Sequence, residues 1–479
     1  MSMKAEKVRV EFERPGVSAF DDPLAQLDAV ATADYIRRGD LDTAEVMEAT
    51  IARAERLQPS LNFLVSTDFD RARKAAAGAK RAGPFAGVPM LVKDLSDAIG
   101  FTTGHGARFA QGGPKATSQL PFVDAMEVAG FTLFGKSGAP EFGMMPTTES
   151  NATGPARNPW NPAFSTGGSS GGAAAAVAAG VIPVAHATDG GGSIRIPASC
   201  CGLFGLKPAR QRTVLAEVPD ESPIQIAVGL CVSRTVRDTA TFLDVVERKG
   251  SDAMLPPVGL VTAPLGRRLK VGLLLTGFGG QIPHPEVTAA IEQTAALVET
   301  LGHDVEPAVW PFGQEFFTAF MKMAGSGLAH TVRELEESLG RTLDEQLVEP
   351  YTLALAELHG RDPAAAAAAI EDVARYSRVF TEWLNGYDVV LSPVLSDPPT
   401  PIGHFAPGLP YELMQERLDR YIAFTPPHNA AGVASMSVPL SLTSEGLPVG
   451  SQFAAGAGGE RLLLELAYQL EEASPWTCR

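Results

Sequence analysis

The chain has 479 residues, of which 45% are hydrophobic and 20% charged, and it carries a formal net charge of −16. That balance supports a sizeable core and excludes a disordered chain; the acidic excess argues against a nucleic-acid partner or an anionic membrane surface. The four cysteines are too few for a disulfide framework, adjacent Cys200 and Cys201 match no metal-ligand spacing, and all four are expected to be reduced.

Residues 1–22 read as an irregular leader, and 23–479 as one large domain. Met1 to Gly16 is charged and lacks the apolar run of a signal peptide, so a cytoplasmic location is expected. Pro23 to Arg38 and Thr43 to Leu57 have helical spacing; Leu41-Asp42-Thr43 offers a cap, and Gln58-Pro59 is expected to end the second helix. Asp70 to Ala82 reads as a third helix. Gly87-Val88-Pro89-Met90-Leu91-Val92-Lys93-Asp94 is a short apolar run, read as a buried strand that ends in Lys93. A lysine is rarely fully buried. Taken alone, this one reads as a strand-end residue whose ammonium reaches water.

Thr102 to Thr117 is a polar, glycine-rich loop, Leu120 to Ala129 a helix, and Phe131 to Lys136 a strand. The stretch from Gly167 to Pro197 then concentrates the chemistry. It reads Gly-Gly-Ser-Ser-Gly-Gly at 167–172, an Ala-rich helix, a strand, and Gly190-Gly191-Gly192-Ser193-Ile194-Arg195-Ile196-Pro197. Glycine lets backbone approach a ligand closely, and free N–H groups beside a serine can stabilise an oxyanion. Either loop alone reads equally well as an ordinary glycine turn.

Alternation of strands and helices through 85–210 predicts an α/β fold with parallel crossovers. Farther on, Leu269 to Leu275 is a strand and His284 to Leu301 a helix. Residues 305–385 are mostly helical, Asp388 to Leu391 and Ala434 to Leu442 return to strand character, and Arg461 to Glu472 is a closing amphipathic helix. The longest apolar stretch, Ala173 to Ala185, is too short to span a membrane and is broken by Gly180 and Pro183.

Taken together, the motifs at 87–94, 167–172, 188–197 and Cys201-Gly202…Gly205-Leu206-Lys207-Pro208 resemble the amidase signature family. Weaker echoes at 41–62, 233–238, 387–393, 424–432, 437–439 and 446–450 extend the likeness over most of the chain. The resemblance implies a large mixed, mostly parallel sheet with helices on both faces. It implies Ser193 as nucleophile, Ser169 as bridging serine after a cis peptide, and Lys93 as general base. It places a methionine, here Met144, beside the substrate, and the variable helical segment at about 305–385 at the substrate entrance. The substrate is then a small-molecule amide, with no cofactor and no metal; the oligomeric state stays open, a homodimer included. Arg157-Asn158-Pro159-Trp160-Asn161 and Pro197-Ala198-Ser199-Cys200 are similar to the branch that contains the 6-aminohexanoate cyclic dimer hydrolases.

The residues fit that chemistry. Amide hydrolysis needs an activated nucleophile, a proton for the leaving nitrogen and an oxyanion cradle. Lysine's reference pKa of about 10.4 is too high for a base near neutrality, but burial disfavours its charged form. The N–H groups of Gly190, Gly191 and Gly192 are expected to form the oxyanion hole. Gly190 departs from the family pattern, which has a larger, often β-branched residue there, so a more mobile loop is expected. Asp189 and Arg195 read as a structural ion pair. Thr166 reads as a turn residue or as part of the pocket lining.

Other readings stay open. Gly167 to Gly171 also fits Gly-x-Ser-x-Gly, which would make Ser169 the nucleophile of an α/β-hydrolase esterase with Asp388 and His428 as partners. A non-enzymatic phosphate cradle lacks the Gly-Lys-Ser/Thr that a P-loop needs. An amidotransferase A-type subunit working with a partner is the alternative within the family.

Overall fold

The computed structural model describes residues 15–79, 82–216 and 224–476. Residues 1–14 of the expected leader and Cys478 lie outside them. The rest of the leader is irregular yet anchored. Val17 and Ala19 donate backbone hydrogen bonds to Pro159 and Ala179, which buries Ala19 and Phe20.

Asp22 and Asp28 cap helices α1 (Pro23–Gln26) and α2 (Ala29–Arg38) through their side chains, and Asp42 caps α3 (Thr43–Leu61). Helix α3 does not end at Gln58-Pro59 as expected. Pro59 lacks an N–H, but the carbonyl it leaves unpaired belongs to exposed Glu55, where water can take the bond. The helix stops at Asn62, in the left-handed conformation, whose N–H bonds Gln58 O.

Strand β1 (Leu64–Thr67), helix α4 (Phe69–Ala77), strand β2 (Pro89–Lys93), helix α5 (Pro121–Val128) and strand β3 (Thr132–Ser137) follow. Helix α4 ends earlier than expected, at Gly78. The three strands form a small sheet in the order β1-β3-β2, with β2 parallel to β3. Lys93 therefore ends a fully buried strand of a satellite sheet.

The chain continues through a short ribbon, β4 (Glu149–Ser150) and β5 (Gly154–Pro155), then α6 (Gly171–Ala178), β6 (Val184–Asp189), α7 (Arg195–Cys201), β7 (Phe204–Lys207), β8 (Val228–Ser233), α8 (Val236–Val246), β9 (Lys270–Leu273), α9 (Pro285–Thr300) and β10 (Asp304–Pro307). The expected helical segment holds α10 (Glu315–Leu339), α11 (Pro350–Gly360) and α12 (Pro363–Leu384). After it come β11 (Val389–Pro393), α13 (Tyr411–Tyr421), α14 (Pro426–Ala431), β12 (Ser435–Leu442), β13 (Pro448–Ala454) and α15 (Glu460–Ala473).

Among the described residues the main sheet has eight strands in the order β10-β9-β11-β13-β12-β7-β8-β6. It is mixed and α/β, as expected, but the expectation of a mostly parallel sheet is corrected. Only β10/β9 and β9/β11 pair in parallel; the pairs from β11 to β6 are antiparallel. Parallel pairing occurs where long helical connections cross over. The hairpin β12–β13 and the β6–β8–β7 group run antiparallel. Helices cover both faces: α7 packs where Gly450 points, against Ser199, and α9 packs where Ser451 points, its Thr294 Oγ1 being 2.7 Å from Ser451 Oγ.

Candidate active site

Helix α6 is built from glycine, alanine and one valine, all buried, so it can lie close to β6 and to the satellite sheet. Its lead-in needs the same economy. A Cβ on Gly168 would sit 2.6 Å from Thr147 O, so only glycine fits there. The Gly168–Ser169 peptide is cis.

This packing brings Ser169 to the end of β2. Lys93 Nζ lies 2.8 Å from Ser169 Oγ and 2.8 Å from Thr188 Oγ1, with Thr188 O at 3.5 Å. Lys93 is wholly buried, so its amine does not reach water as the strand-end reading had it. The Lys93 backbone N–H donates to His186 Nδ1 at 3.3 Å, which ties the satellite sheet to β6. Burial, then the charges of Lys93 and Lys136, push His186 down to about 3. Its imidazole is neutral and accepts at Nδ1, so the ring proton sits on Nε2. Ser170 Oγ donates to Thr188 O at 3.2 Å and fixes the start of α6 against β6.

Strand β6 ends at Asp189, and the Gly190–Ser193 loop begins two residues beyond Thr188. Asp189 and Arg195 form the expected ion pair, 3.0 Å apart and fully buried. Burial alone would raise the Asp189 carboxyl, but the charge and hydrogen bonds of Arg195 outweigh it and hold the group well below the usual carboxylate range. Arg195 also donates to Asn429 Oδ1, Gln452 Oε1 and Thr425 O. Asn429 donates back to Asp189, and Thr425 Oγ1 donates to Gly191 O at 2.6 Å. The loop is thus pinned on both sides by α14 and β13.

One expectation about the loop is corrected. The Gly192 N–H donates to Asp189 Oδ1 at 2.7 Å, so it is not free for an oxyanion. The Ile194 N–H goes to Asp189 Oδ2. The N–H groups of Gly190, Gly191 and Ser193 form no hydrogen bond among the described residues. Gly192 has φ +136, and a Cβ there would meet Ile196 and Thr425 at 2.6 Å, so glycine serves shape at this position. Gly190 has room for a side chain: a Cβ would be 3.9 Å from Ala227 Cβ.

Ser193 is half-buried just before α7, and its hydroxyl forms no hydrogen bond with Lys93 or Ser169. The structure thus joins Lys93 and Ser169 directly and brings the Ser193 loop to them through Thr188. Met144 is half-buried, in the turn after Gly143, and a Cβ on Gly143 would lie 3.3 Å from Ser169 Oγ. Thr166 stands just ahead of Gly167. It is wholly buried and its hydroxyl donates to Gly167 O, so it braces the backbone ahead of the cis peptide.

Sequence reasoning missed Thr188 and His186 as partners of Lys93. Thr188 was visible next to Asp189 in the motif, but only the fold turns its hydroxyl toward the lysine.

The α/β-hydrolase reading fails here. The partner of Ser169 is a lysine, His428 Nδ1 faces Thr425 O and Arg195, and Asp388 is engaged by Arg267 and the Lys270 N–H. The phosphate-cradle reading meets a buried carboxylate, Asp189, that already takes the Gly192 and Ile194 N–H groups and would repel an anion there. Among the described residues no group of His, Cys, Asp and Glu is placed to hold a metal ion, and no helix is long and apolar enough to cross a membrane. An open groove of about 880 Å³ lies elsewhere, lined by His284, Asp397, Arg420 and Tyr421, and includes none of Lys93, Ser169 and Ser193.

The Amidase family model matches residues 45–464, the span that carries every one of these groups. The chain belongs to the amidase signature family. Among its relatives, a protein of Mycobacterium tuberculosis (strain ATCC 25618 / H37Rv) that carries the designation amidase AmiC is 41% identical over 469 residues, covering 96% of this chain and 97% of the relative. The 6-aminohexanoate-cyclic-dimer hydrolase of Paenarthrobacter ureafaciens is 37% identical over 475 residues, covering 94% and 96%. A solved structure of 6-aminohexanoate cyclic dimer hydrolase complexed with substrate superposes with a TM-score of 0.89 at 35% identity, covering 96% of this chain and 99% of that one. This amidase hydrolyses amide C–N bonds, and its fold is that of the amidase signature enzymes.

Proposed function

We propose that the amidase works through an acyl-Ser193 intermediate, with Lys93 as base and Ser169 as the relay between them. The observation that carries this reading is the 2.8 Å contact between Ser169 Oγ and the fully buried Lys93 Nζ. Burying an ammonium costs solvation, which favours the neutral amine. A neutral Lys93 has one lone pair and two N–H groups. The lone pair takes the Ser169 proton, while the N–H groups donate to Thr188 Oγ1 and O.

Ser169 then accepts the Ser193 proton as Ser193 Oγ attacks the substrate carbonyl. The N–H groups of Gly190, Gly191 and Ser193 receive the oxyanion. When the C–N bond breaks, the proton returns from Lys93 through Ser169 to the leaving nitrogen, and the amine departs. Water attacks the acyl-Ser193 ester by the same relay, releases the carboxylate and restores Ser193.

The likeness to the cyclic-dimer hydrolase puts linear and cyclic aliphatic amides first among substrates. An amidotransferase subunit would need its partner. Purified protein assayed alone on a panel of aliphatic, cyclic and aryl amides should release amine without added metal or cofactor, and loss of that release in Ser193→Ala is expected. Turnover that survives Ser193→Ala would reject the assignment.

A further inference from the structure

The helical segment and the catalytic loops meet along a narrow hydrogen-bonded seam. From one side come the link between α10 and α11 and the first turn of α11. From the other come residues 105–111 and 140–152. The Phe109 N–H donates to Leu347 O at 3.0 Å, Arg108 Nη1 to Glu345 O at 3.3 Å, and the Asn151 N–H to Glu349 Oε1 at 2.8 Å. At the centre is Glu141, only 2% exposed. One oxygen, Oε1, accepts both the Glu349 N–H at 2.8 Å and the Thr352 hydroxyl, the opening groups of α11.

Glu141 belongs to a tight turn. Gly143 N–H bonds Pro140 O, Met144 N–H bonds Glu141 O, and Phe142 N–H bonds His105 O. Phe142 and Gly143 both have positive φ, 49° and 70°. Such a turn has little freedom to shift in part. Two residues after Glu141, Gly143 runs so close to Ser169 that an added Cβ would lie 3.3 Å from its Oγ. One side of this short turn thus lies beside the relay serine, and the other grips the helix expected at the substrate entrance.

A buried carboxylate is costly where an apolar side chain would fill the same space. Burial pushes Glu141 up to about 7 despite its two donors, and burial, then the Glu141 charge, does the same to Glu349. Arg108 is the cation that offsets both, and the His105 imidazole, kept low by burial and by Lys136, packs on the Phe109 and Phe142 rings. The cost is met at a position whose one evident product is registry between α11 and the turn.

We propose that Glu141 is a positioning residue that registers the helical segment against the turn beside Ser169, so that the entrance helix and the proton relay hold one geometry. It rests on the assignment of Ser169 as relay and Ser193 as nucleophile.

A fluorophosphonate probe tests it without knowledge of the substrate, because kinact and KI for Ser193 labelling separate chemistry from docking. Glu141→Ala should lower kinact by about tenfold to a hundredfold with KI nearly unchanged, the scale of a relay misplaced by about an ångström. Glu141→Gln keeps an acceptor oxygen and should restore kinact to within about threefold of wild type. Thr352→Val removes one donor from the other side; it should lower kinact less, and add nothing in the Glu141→Ala background. Wild-type kinact in folded Glu141→Ala, or Glu141→Gln as damaging as Glu141→Ala, would overturn the proposal. If Glu141→Ala does not fold, Thr352→Val decides, with wild-type kinact as the contrary result. Failure of the wild-type protein to label at Ser193 would instead indict the nucleophile.

Discussion

The β2–α6–β6 region and the α10–α12 segment solve different problems with different residues. The first packs glycine, alanine, serine and one lysine so closely that several positions admit no other side chain. The second is an aromatic layer in which Phe316 stacks on Phe320, and Phe380 on Trp310 from the link just before α10. Chemistry needs fixed distances between particular atoms, and small residues provide them. A pocket wall needs volume and shape, which many apolar combinations supply. Substitutions should therefore abolish reaction in the first region and re-rank substrates in the second.

The largest effect is expected within the relay. Ser169→Ala and Lys93→Ala should each lower kcat by about a thousandfold or more, and the double variant should be scarcely worse than either. Additive losses on a logarithmic scale, read from kcat on one amide, would break the claim that they act as one unit.

Asp189→Ala comes next. It leaves Arg195 buried without its partner and frees the Gly192 and Ile194 N–H groups, so a stability loss of about 3–5 kcal/mol is expected by denaturant unfolding. Activity should collapse with it, because the same carboxylate shapes the glycine loop.

The same contrast explains what the sequence disclosed. The Asp189–Arg195 pair was legible as opposite charges flanking a glycine loop, whereas Lys93, Ser169 and Ser193 were singled out by resemblance to the amidase signature family, since alone Lys93 reads as a strand-end lysine and each loop as an ordinary glycine turn. The α/β class and the long helices followed from spacing. Strand direction did not, because β11 and β12 read as strands whatever their partners. Pro59 misled for a local reason, its missing bond lying on the solvent side of α3. The oxyanion donors were read as three consecutive glycines; that Gly192 is spent on Asp189 depends on how the carboxylate turns, which no spacing records. Glu141 carried no signal either, since its partners Glu349 and Thr352 come from a segment two hundred residues away.

The helical side of the comparison is sharpened by Phe320. A Cβ on Gly191 would lie 3.8 Å from Phe320 Cζ, so the ring stands over the glycine loop. Phe320→Leu should raise kcat/KM for bulky acyl groups relative to acetyl by a few-fold to about tenfold, with little change on the acetyl amide. An unchanged ranking across an acyl series would remove Phe320 from the wall. The smallest effect is expected at Gly190, where a Cβ meets nothing closer than 3.9 Å. Gly190→Ala should stay within about threefold of wild type in kcat, because the N–H survives and the loop is already pinned by Asp189 and Thr425. A large loss there would show that the loop needs the freedom of glycine.

The most direct measurement is the rate of fluorophosphonate labelling as a function of pH, with the modified peptide mapped, in the wild type and in Lys93→Arg. The label should fall on Ser193. Its rate should rise through the neutral and alkaline range as Lys93 loses its proton, and Lys93→Arg, which cannot deprotonate, should label at least about a hundredfold more slowly at every pH. His186, held down to about 3, stays neutral throughout and cannot supply that limb. A label on Ser169, or a limb near the histidine reference of about 6.5 that survives in Lys93→Arg, would contradict the Ser193–Ser169–Lys93 relay.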